Sequence, residues 1–397
     1  MSLPAHAFQP APASSAQRRR VALIVDGHGW ASRAVVNSLG AAGWQVLAPY
    51  GTKSSRSRFC SASFRLPDYR RDVTAFLAQL SALLGRWRVD LVVPGEDASV
   101  ALLYETVGLL GGASVLGGDR ESARLALDKA RTLCRASELG FGIPRTVFAS
   151  DVEEAVARSD EVGFPCVVKP CRSYARAGNT VCSARLRFVH SASGLRQALS
   201  DYLSLGFALP LVQEWVPGRS IGVAAVLSQG RILGWGAREA FSQFPTRGGS
   251  AVWRATVGPQ EPGVLQALAL LQQLRFEGLG DVQYHIDRDG RPRLMEIGAR
   301  TYGWLPLTIA AGADLPRIAA DALGGHQPDQ PAVARPGLHM RWLRGEGARI
   351  AEMLRPGAEL PPGASRLDVL RQLYPLCGAD MLYDGWTVSD RRLRWRR

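Results

Sequence analysis

The sequence predicts an α/β protein of more than one domain, and three observations carry that prediction. From residue 21 to about 120, short apolar runs alternate with helical stretches, the pattern of a doubly wound parallel sheet. Beyond that point strands follow one another around tight turns, as in antiparallel sheets. The chain has 397 residues, 46% hydrophobic and 21% charged, an ordinary globular balance with enough length for two or three cores.

Residues 1–19 are rich in Ala, Pro and Ser and lack the central apolar segment of a secretory signal, so they read as a disordered tail. The domain over 20–120 opens with Val21-Ala22-Leu23-Ile24-Val25, a β-branched apolar run of the kind buried in parallel sheets. The loop Asp26-Gly27-His28-Gly29-Trp30 follows, then a helix over 31–39 ending at Gly40, a strand over 45–48, a helix over 72–87 and a strand over 91–94. Gly27 and Gly29 lack the third glycine of a dinucleotide fingerprint, which makes this domain a scaffold rather than a cofactor site.

A second region covers 121–330, with a small lobe at about 160–216. It begins with one helix over 125–139, stopped by Gly140. A strand, Pro165-Cys166-Val167-Val168-Lys169-Pro170, ends in a lysine, and a loop of small and polar residues over 171–179 precedes another strand at Thr180. Strands over 209–216, 221–227 and 232–237 read as one small antiparallel sheet, the last two joined at Gln229-Gly230. A helix over 262–274 comes next. Residues 331–397 are punctuated by Pro and Gly, with a helix near 346–354 and a basic end, Arg391 to Arg397.

Asp289-Gly290 lies between two alternating runs, a strong hairpin signal. With those two residues as the turn centre, Arg288 opposes Arg291 and Gln283 opposes Glu296. Directly opposed residues share a face with β-carbons about 5 Å apart. An amide oxygen and a carboxylate at that spacing suit a hard divalent cation completed by phosphate oxygens, although the pair taken alone reads first as a solvated polar pair on an exposed face. Arg300 follows within a glycine-bearing loop, placed to reach an anion near the cation.

The net charge of +13 raises nucleic-acid binding, but only three of the 48 basic residues are lysines, Lys53, Lys129 and Lys169. That skew runs through the whole chain and looks compositional rather than like a built face. It also makes each lysine informative, because a compact point charge has been kept where arginine is the habit. Six cysteines without a CxxC pair read as free thiols of a reducing cytoplasm. No apolar run reaches the ~20 residues of a membrane span.

Taken in order, several segments resemble the ATP-grasp superfamily, and within it the carboxylate–amine ligase-like members, over about residues 21–354. They are Asp128-Lys129, Val167-Val168-Lys169-Pro170, Gln213-Glu214-Trp215-Val216-Pro217-Gly218, Gly248-Gly249-Ser250, Gln283, Glu296, Arg300 and the runs over 305–312 and 337–343. The resemblance implies an ATP-grasp fold with an N-terminal pre-ATP-grasp domain and a two-lobed ATP-binding region. It implies Lys129 and Lys169 on the nucleotide phosphates, and the loop over 171–178, with Ser173, as a lid. Gln213, Glu214 and Val216 would form the adenine hinge, with backbone contacts from the last two. Gln283 and Glu296 would hold one or two Mg2+ ions, and Arg300 would stabilise the transferring phosphoryl group. Arg238 and Arg254 sit where related ligases meet the substrate carboxylate, and Gly248, Gly249 and Ser250 have the makings of an anion nest beside them.

The implied activity is ATP-dependent amide formation from a small-molecule carboxylate and an amine, through an acyl phosphate. Neither membrane nor nucleic acid is expected as a partner, and a homodimer is left open. The chain departs from the family pattern at three places: Gln283 replaces a frequent glutamate, Gly298 the usual asparagine, and Arg219 an often acidic ribose contact. A decayed ATP-binding protein is therefore the first alternative, and a basic nucleic-acid-binding protein the second.

Overall fold

The computed structural model describes residues 18–106, 108–246, 249–355, 367 and 380–384. Its first layer is a parallel sheet in the order β3-β2-β1-β4-β5. The strands are β1 (Val21–Ile24), β2 (Gln45–Pro49), β3 (Cys60–Phe64), β4 (Leu91–Val93) and β5 (Ser114–Val115), interleaved with α1 (Trp30–Ala41), α2 (Val73–Trp87) and α3 (Asp97–Glu105). β1 lies at the centre and is buried along its whole length, which is why its sequence shows no alternation. Helix α2 starts one residue later than the sequence predicts, because Asp72 is extended and its carboxylate accepts from the Ala75 N–H as an N-cap. The strand order reverses direction between β1 and β4, and the carboxyl ends of that pair open the crevice where such sheets bind ligands.

The single helix expected over 125–139 is two helices, α4 (Arg120–Leu127) and α5 (Lys129–Glu138). Asp128 breaks them: its backbone is extended at φ −115° and ψ 101°, and its side chain accepts from the Arg131 N–H to cap α5. The break places Lys129 in the first turn of α5, the positive end of the helix dipole, where a cation is electrostatically disfavoured. Its position there therefore needs a compensating anion.

Next comes a four-stranded sheet in the order β10-β7-β11-β6. It is made of β6 (Thr146–Val147), β7 (Cys166–Lys169), β10 (Arg187–Val189) and β11 (Leu211–Glu214), covered by α6 (Val152–Ala157) and α7 (Ala192–Ser204). Ala155, Leu195, Leu199 and Tyr202 close its core against Val168 and Val212. The segment expected as a loop over 171–179 carries a strand at its centre: β8 (Tyr174–Ala177) pairs antiparallel with β9 (Thr180–Ser183).

The largest sheet has eight strands among the described residues, in the order β16-β15-β12-β13-β14-β18-β19, with β17 beside β13. These are β12 (Arg219–Ser228), β13 (Arg231–Phe244), β14 (Ser250–Val257), β15 (Gly278–Ile286), β16 (Pro292–Gly298), β17 (Ala332–Val333), β18 (His339–Arg341) and β19 (Met381–Tyr383). Helices α8 (Val264–Gln273), α9 (Leu305–Ala310), α10 (Leu315–Ala322) and α11 (Leu343–Leu354) pack around it. The small antiparallel sheet expected from 209–237 is thus two sheets, since β11 belongs to the four-stranded one. Ile221, Val223, Val282 and Tyr284 point to the face covered by α8. On the other face Ala224, Val226 and Leu279 pack with α1, α9 and α10. The same face carries Gly222, Arg238, Asp281 and Gln283 one to two residues further along, and there the apolar cover stops.

Candidate functional site

The site is built on the β15–β16 hairpin. Its turn differs from the expected two-residue one: Asp287 N–H donates to the Arg291 carbonyl at 3.0 Å and Gly290 N–H to the Asp287 carbonyl at 3.0 Å, so Asp287 opposes Arg291 around three residues. Gly290 has φ +77°, the left-handed conformation such a loop requires. Near the turn the pairs are therefore Ile286 with Pro292, His285 with Arg293 and Tyr284 with Leu294, one residue off the sequence register. A bulge at Met295 then restores it, and Gln283 opposes Glu296 as expected. Bulges commonly re-aim backbone groups beside functional sites. Here the Met295 carbonyl accepts a hydrogen bond from Lys169 Nζ at 3.1 Å.

Two of the chain's three lysines converge on Glu296. Lys129 Nζ and Lys169 Nζ each lie 3.6 Å from Glu296 Oε2. The lysine side chains are 7% and 12% exposed and the glutamate 29%, so the carboxylate forms the open edge of a largely buried triad. Lys129 Nζ also donates to Ser173 Oγ at 2.9 Å, tying it to the base of the β8–β9 hairpin. Burial works to raise the Glu296 pKa, but Lys169 and Lys129 outweigh it and hold it below the usual carboxylate range. Burial lowers the pKa of Lys169, with Glu296 acting against it.

Arg300 lies on the loop after β16, and its Nε donates to Asp97 Oδ1 at 2.6 Å. Asp97 begins α3 at the carboxyl end of β4, so the crevice of the first sheet supplies one carboxylate to the site. Burial pushes the Asp97 pKa up, while Arg300 and Lys129 pull it down to a net value below normal. Asp97 raises the Arg300 pKa further. The loop carboxylate Asp26, by contrast, is engaged within its own sheet, accepting from Ser99 Oγ at 2.5 Å and Gly95 N–H at 2.8 Å.

Across the sheet, Gln283, Gly222 and Arg238 form one row. Gly222 has no side chain to block that row: a β-carbon there would sit 2.9 Å from Arg238 Nε. Arg238 is buried and its Nη1 donates to Ser220 O at 3.0 Å and Ser220 Oγ at 3.2 Å. Its Nε has no hydrogen-bond partner among the described residues, and burial brings its pKa down to about 10. A buried guanidinium with an unmet donor fits an anionic ligand. Asp281 lies on the same face as Gln283, opposite Gly298 in register. It accepts from Trp304 Nε1 at 3.2 Å and from Gln283 Nε2 at 3.3 Å, and burial raises its pKa against the pull of Arg238.

The other expected residues are more scattered. Arg254 is buried and already ion-paired with Asp384 at 2.5 Å. Gly249 and Ser250 lie at the start of β14, where Ser250 pairs with Phe244, whereas Arg238 pairs with Thr256. Six residues of strand, about 20 Å, separate the two rows, so the structure does not bring this nest to Arg238. Gly248 and Arg247 fall outside the described residues, as do Cys377 and the basic run 391–397. Arg219 is bound by Glu239 at 3.1 Å and by Glu261. Gln213 in β11 donates to Thr146 Oγ1 at 3.0 Å, and Glu214 pairs with Arg145 at 2.7 Å. The Val216 carbonyl accepts from His285 Nδ1 at 3.0 Å. This tethers the linker between the two sheets to the site face.

Sequence reasoning missed Asp97 and Asp281. Asp281 carried a signal, since residues two apart on a strand share a face. Asp97 carried little, because Arg300 is 203 positions away in sequence.

The donor set, amide and carboxylate oxygens on one face, suits a hard cation. Among the described residues no three His, Cys, Asp or Glu side chains form a metal cluster of their own, so such a cation would take further oxygens from phosphates and water. Two lysines, a helix N-terminus and this pair meet between two sheets, and the fold is of the ATP-grasp type. Residues 211–346, from β11 into α11, match the family described as ATP-grasp in the biosynthetic pathway with Ter operon. Among curated relatives, D-alanine–D-alanine ligase of Pseudomonas entomophila is 26% identical over 56% of this chain and 70% of the ligase. The carbamoyl phosphate synthase large chain of Vibrio cholerae is 24% identical over 56% of this chain but only 21% of the synthase's length. Among solved structures, the biotin carboxylase–β-γ-ATP complex from Campylobacter jejuni superposes with a TM-score of 0.65 at 15% identity, covering 82% of this chain and 75% of that one. The L-amino acid ligase from Bacillus licheniformis gives 0.58 at 15% identity over 77% and 74%. At that identity these likenesses show the fold alone. Among the described residues no helix is long and apolar enough to cross a membrane.

Proposed function

We propose that the chain is an ATP-dependent carboxylate–amine ligase working through an acyl phosphate. The observation that carries this is the convergence of Lys129 and Lys169 on Glu296, beside Gln283 on one sheet face. Lysines held by a carboxylate in the free protein are positioned for phosphate oxygens, and Mg2+ between Gln283 and Glu296 would neutralise charge on the phosphates. Lys129 and Lys169 would bind the nucleotide phosphates, with Ser173 at the base of a closing hairpin. Backbone groups of Glu214 and Val216, with Gln213 behind them, would meet the adenine. Arg300, oriented by Asp97, would face the transferring phosphoryl group, where catalysis is positioning and charge stabilisation. Arg238, with its unmet Nε, would take the carboxylate. The amine would then displace phosphate from the acyl phosphate, leaving an amide, ADP and phosphate.

The test is ADP release with ATP and Mg2+ against pools of carboxylic acids and amines. Release that needs both an acid and an amine, and falls at least ~100-fold in Glu296→Ala, is the expected result. The alternative of a decayed ATP-binding protein is motivated by Gly298; tight ATP binding with no stimulated release from any pool would favour it.

A further inference from the structure

Glutamine at position 283 is an ambiguous ligand, because its amide presents either an oxygen or an NH2 group, and only the oxygen can face a cation. A neighbour must decide which. Gln283 Nε2 donates to Asp281 Oδ2 at 3.3 Å, and Asp281 Oδ1 accepts from Trp304 Nε1 at 3.2 Å. Asp281 is 4% exposed and stands opposite Gly298, whose backbone leaves the space beside it free of any side chain. An ionised carboxylate only accepts, so the side of Gln283 that meets it must be the NH2, and the oxygen turns the other way, toward Glu296. The two positions also balance in charge: Asp281 and Glu296 carry the two negative charges that a pair of glutamates at 283 and 296 would carry. Arg238 and Arg300 are the cations that act on Asp281, and Glu296 is the other anion that does.

We propose that Asp281 is a positioning residue of the metal site, fixing the Gln283 amide so that its oxygen faces the cation, and that Asp281 and Gln283 form one interdependent pair. This rests on the reading that Gln283 and Glu296 hold Mg2+ with nucleotide. It explains one of the chain's departures from the family pattern: with Asp281 in place, a glutamate at 283 would set two carboxylates side by side.

Asp281→Asn reverses the amide. Trp304 Nε1 would hold the oxygen of the introduced amide, leaving its NH2 to face Gln283, which must then turn its own NH2 toward the cation. Titration of the full-length protein with Mn2+ in the presence of ADP, followed by the electron paramagnetic resonance of free Mn2+, reads this without turnover. D281N should weaken Mn2+ binding roughly 10- to 100-fold, the range for partners that orient metal ligands. The loss should persist at about 0.5 M KCl, where effects of distant charge are screened. The double variant D281N/Q283E, whose carboxylate presents oxygen either way, should return to within about threefold of wild type. Should D281N fail to fold, Asp281→Ser also lacks the acceptor-only carboxylate and carries the same test. A D281N protein within twofold of wild type, a loss abolished by salt, or no recovery in the double variant would each overturn the proposal. If wild type itself binds no Mn2+ with ADP, or Glu296→Ala binds it as well as wild type does, the metal reading fails and this inference with it.

Discussion

Glu296 is shared by two lysines before any nucleotide arrives, and that sharing fixes how the site responds to pH. Its pKa in the folded protein lies below the ordinary carboxylate value of about 4.3. A depressed acid contributes stability that is complete above its unfolded pKa and is lost as pH falls through the folded one. The part of the acid limb of ADP binding that belongs to Glu296 should therefore begin only below the ordinary carboxylate range. The alkaline limb belongs to Lys169, whose lowered pKa means that it loses its charge earlier than a free lysine at about 10.4. Lys169→Arg, always charged, should move that limb upward. Titration of ADP affinity against pH checks both, and an alkaline limb left unmoved by Lys169→Arg would contradict the role of Lys169. At this scale much of the site was legible. The rarity of lysine in an arginine-rich chain singled out Lys129 and Lys169, and strand periodicity paired Gln283 with Glu296. Asp281 was equally legible by that periodicity. Asp97 was not, because its role arises only when α3 meets a loop far along the chain.

The hairpin shows what sequence patterns miss at the scale of an element. Asp289-Gly290 announces a turn, but not whether two or three residues form it, and Met295 carries no turn chemistry that would mark a bulge. The two unforeseen features cancel, so the expected pairing of Gln283 and Glu296 is found on a turn that was not expected. The break at Asp128 was hidden for a related reason: aspartate is tolerable inside a helix and better as an N-cap, and only packing decides. The bulge has a testable use. Deleting Met295 would leave Leu294 opposite Tyr284 and Glu296 opposite Gln283, so that pair keeps its face. Lys169 would lose the carbonyl it now donates to at 3.1 Å. A charged hydrogen bond of about 1.5–3 kcal/mol is at stake, so ADP affinity should fall about tenfold or more while the protein stays folded. Unchanged affinity in the deletion variant would show that the bulge serves the backbone alone.

The proposed function needs the first sheet to stay seated on the hairpin, because Asp97 comes from one and Arg300 from the loop after the other. Backbone hydrogen bonds join them. Leu279 N–H donates to the Leu116 carbonyl at 3.1 Å, and Thr301 N–H to the Pro94 carbonyl at 3.3 Å. Between these bonds lie Gly117 and Gly118, each against a carbonyl: added β-carbons would sit 1.8 Å from the oxygens of Ala299 and Glu277 respectively. Backbone cannot rotate away as a side chain can, so Gly117→Ala must push the Ala299–Arg300 segment off the first sheet. The expected cost is at least 1–3 kcal/mol in unfolding free energy, together with a fall in turnover larger than the stability loss explains, since Arg300 moves away from Asp97. Gly85→Ala is the matched control. Gly85 lies in α2, exposed and with open space where the β-carbon would go, so this variant should gain up to about 1 kcal/mol and keep its activity. Denaturant unfolding and the ligase assay on the same preparations separate the outcomes. If Gly117→Ala loses stability but keeps wild-type turnover, the seat of the first sheet is structural only, and Arg300 holds its place through its own loop.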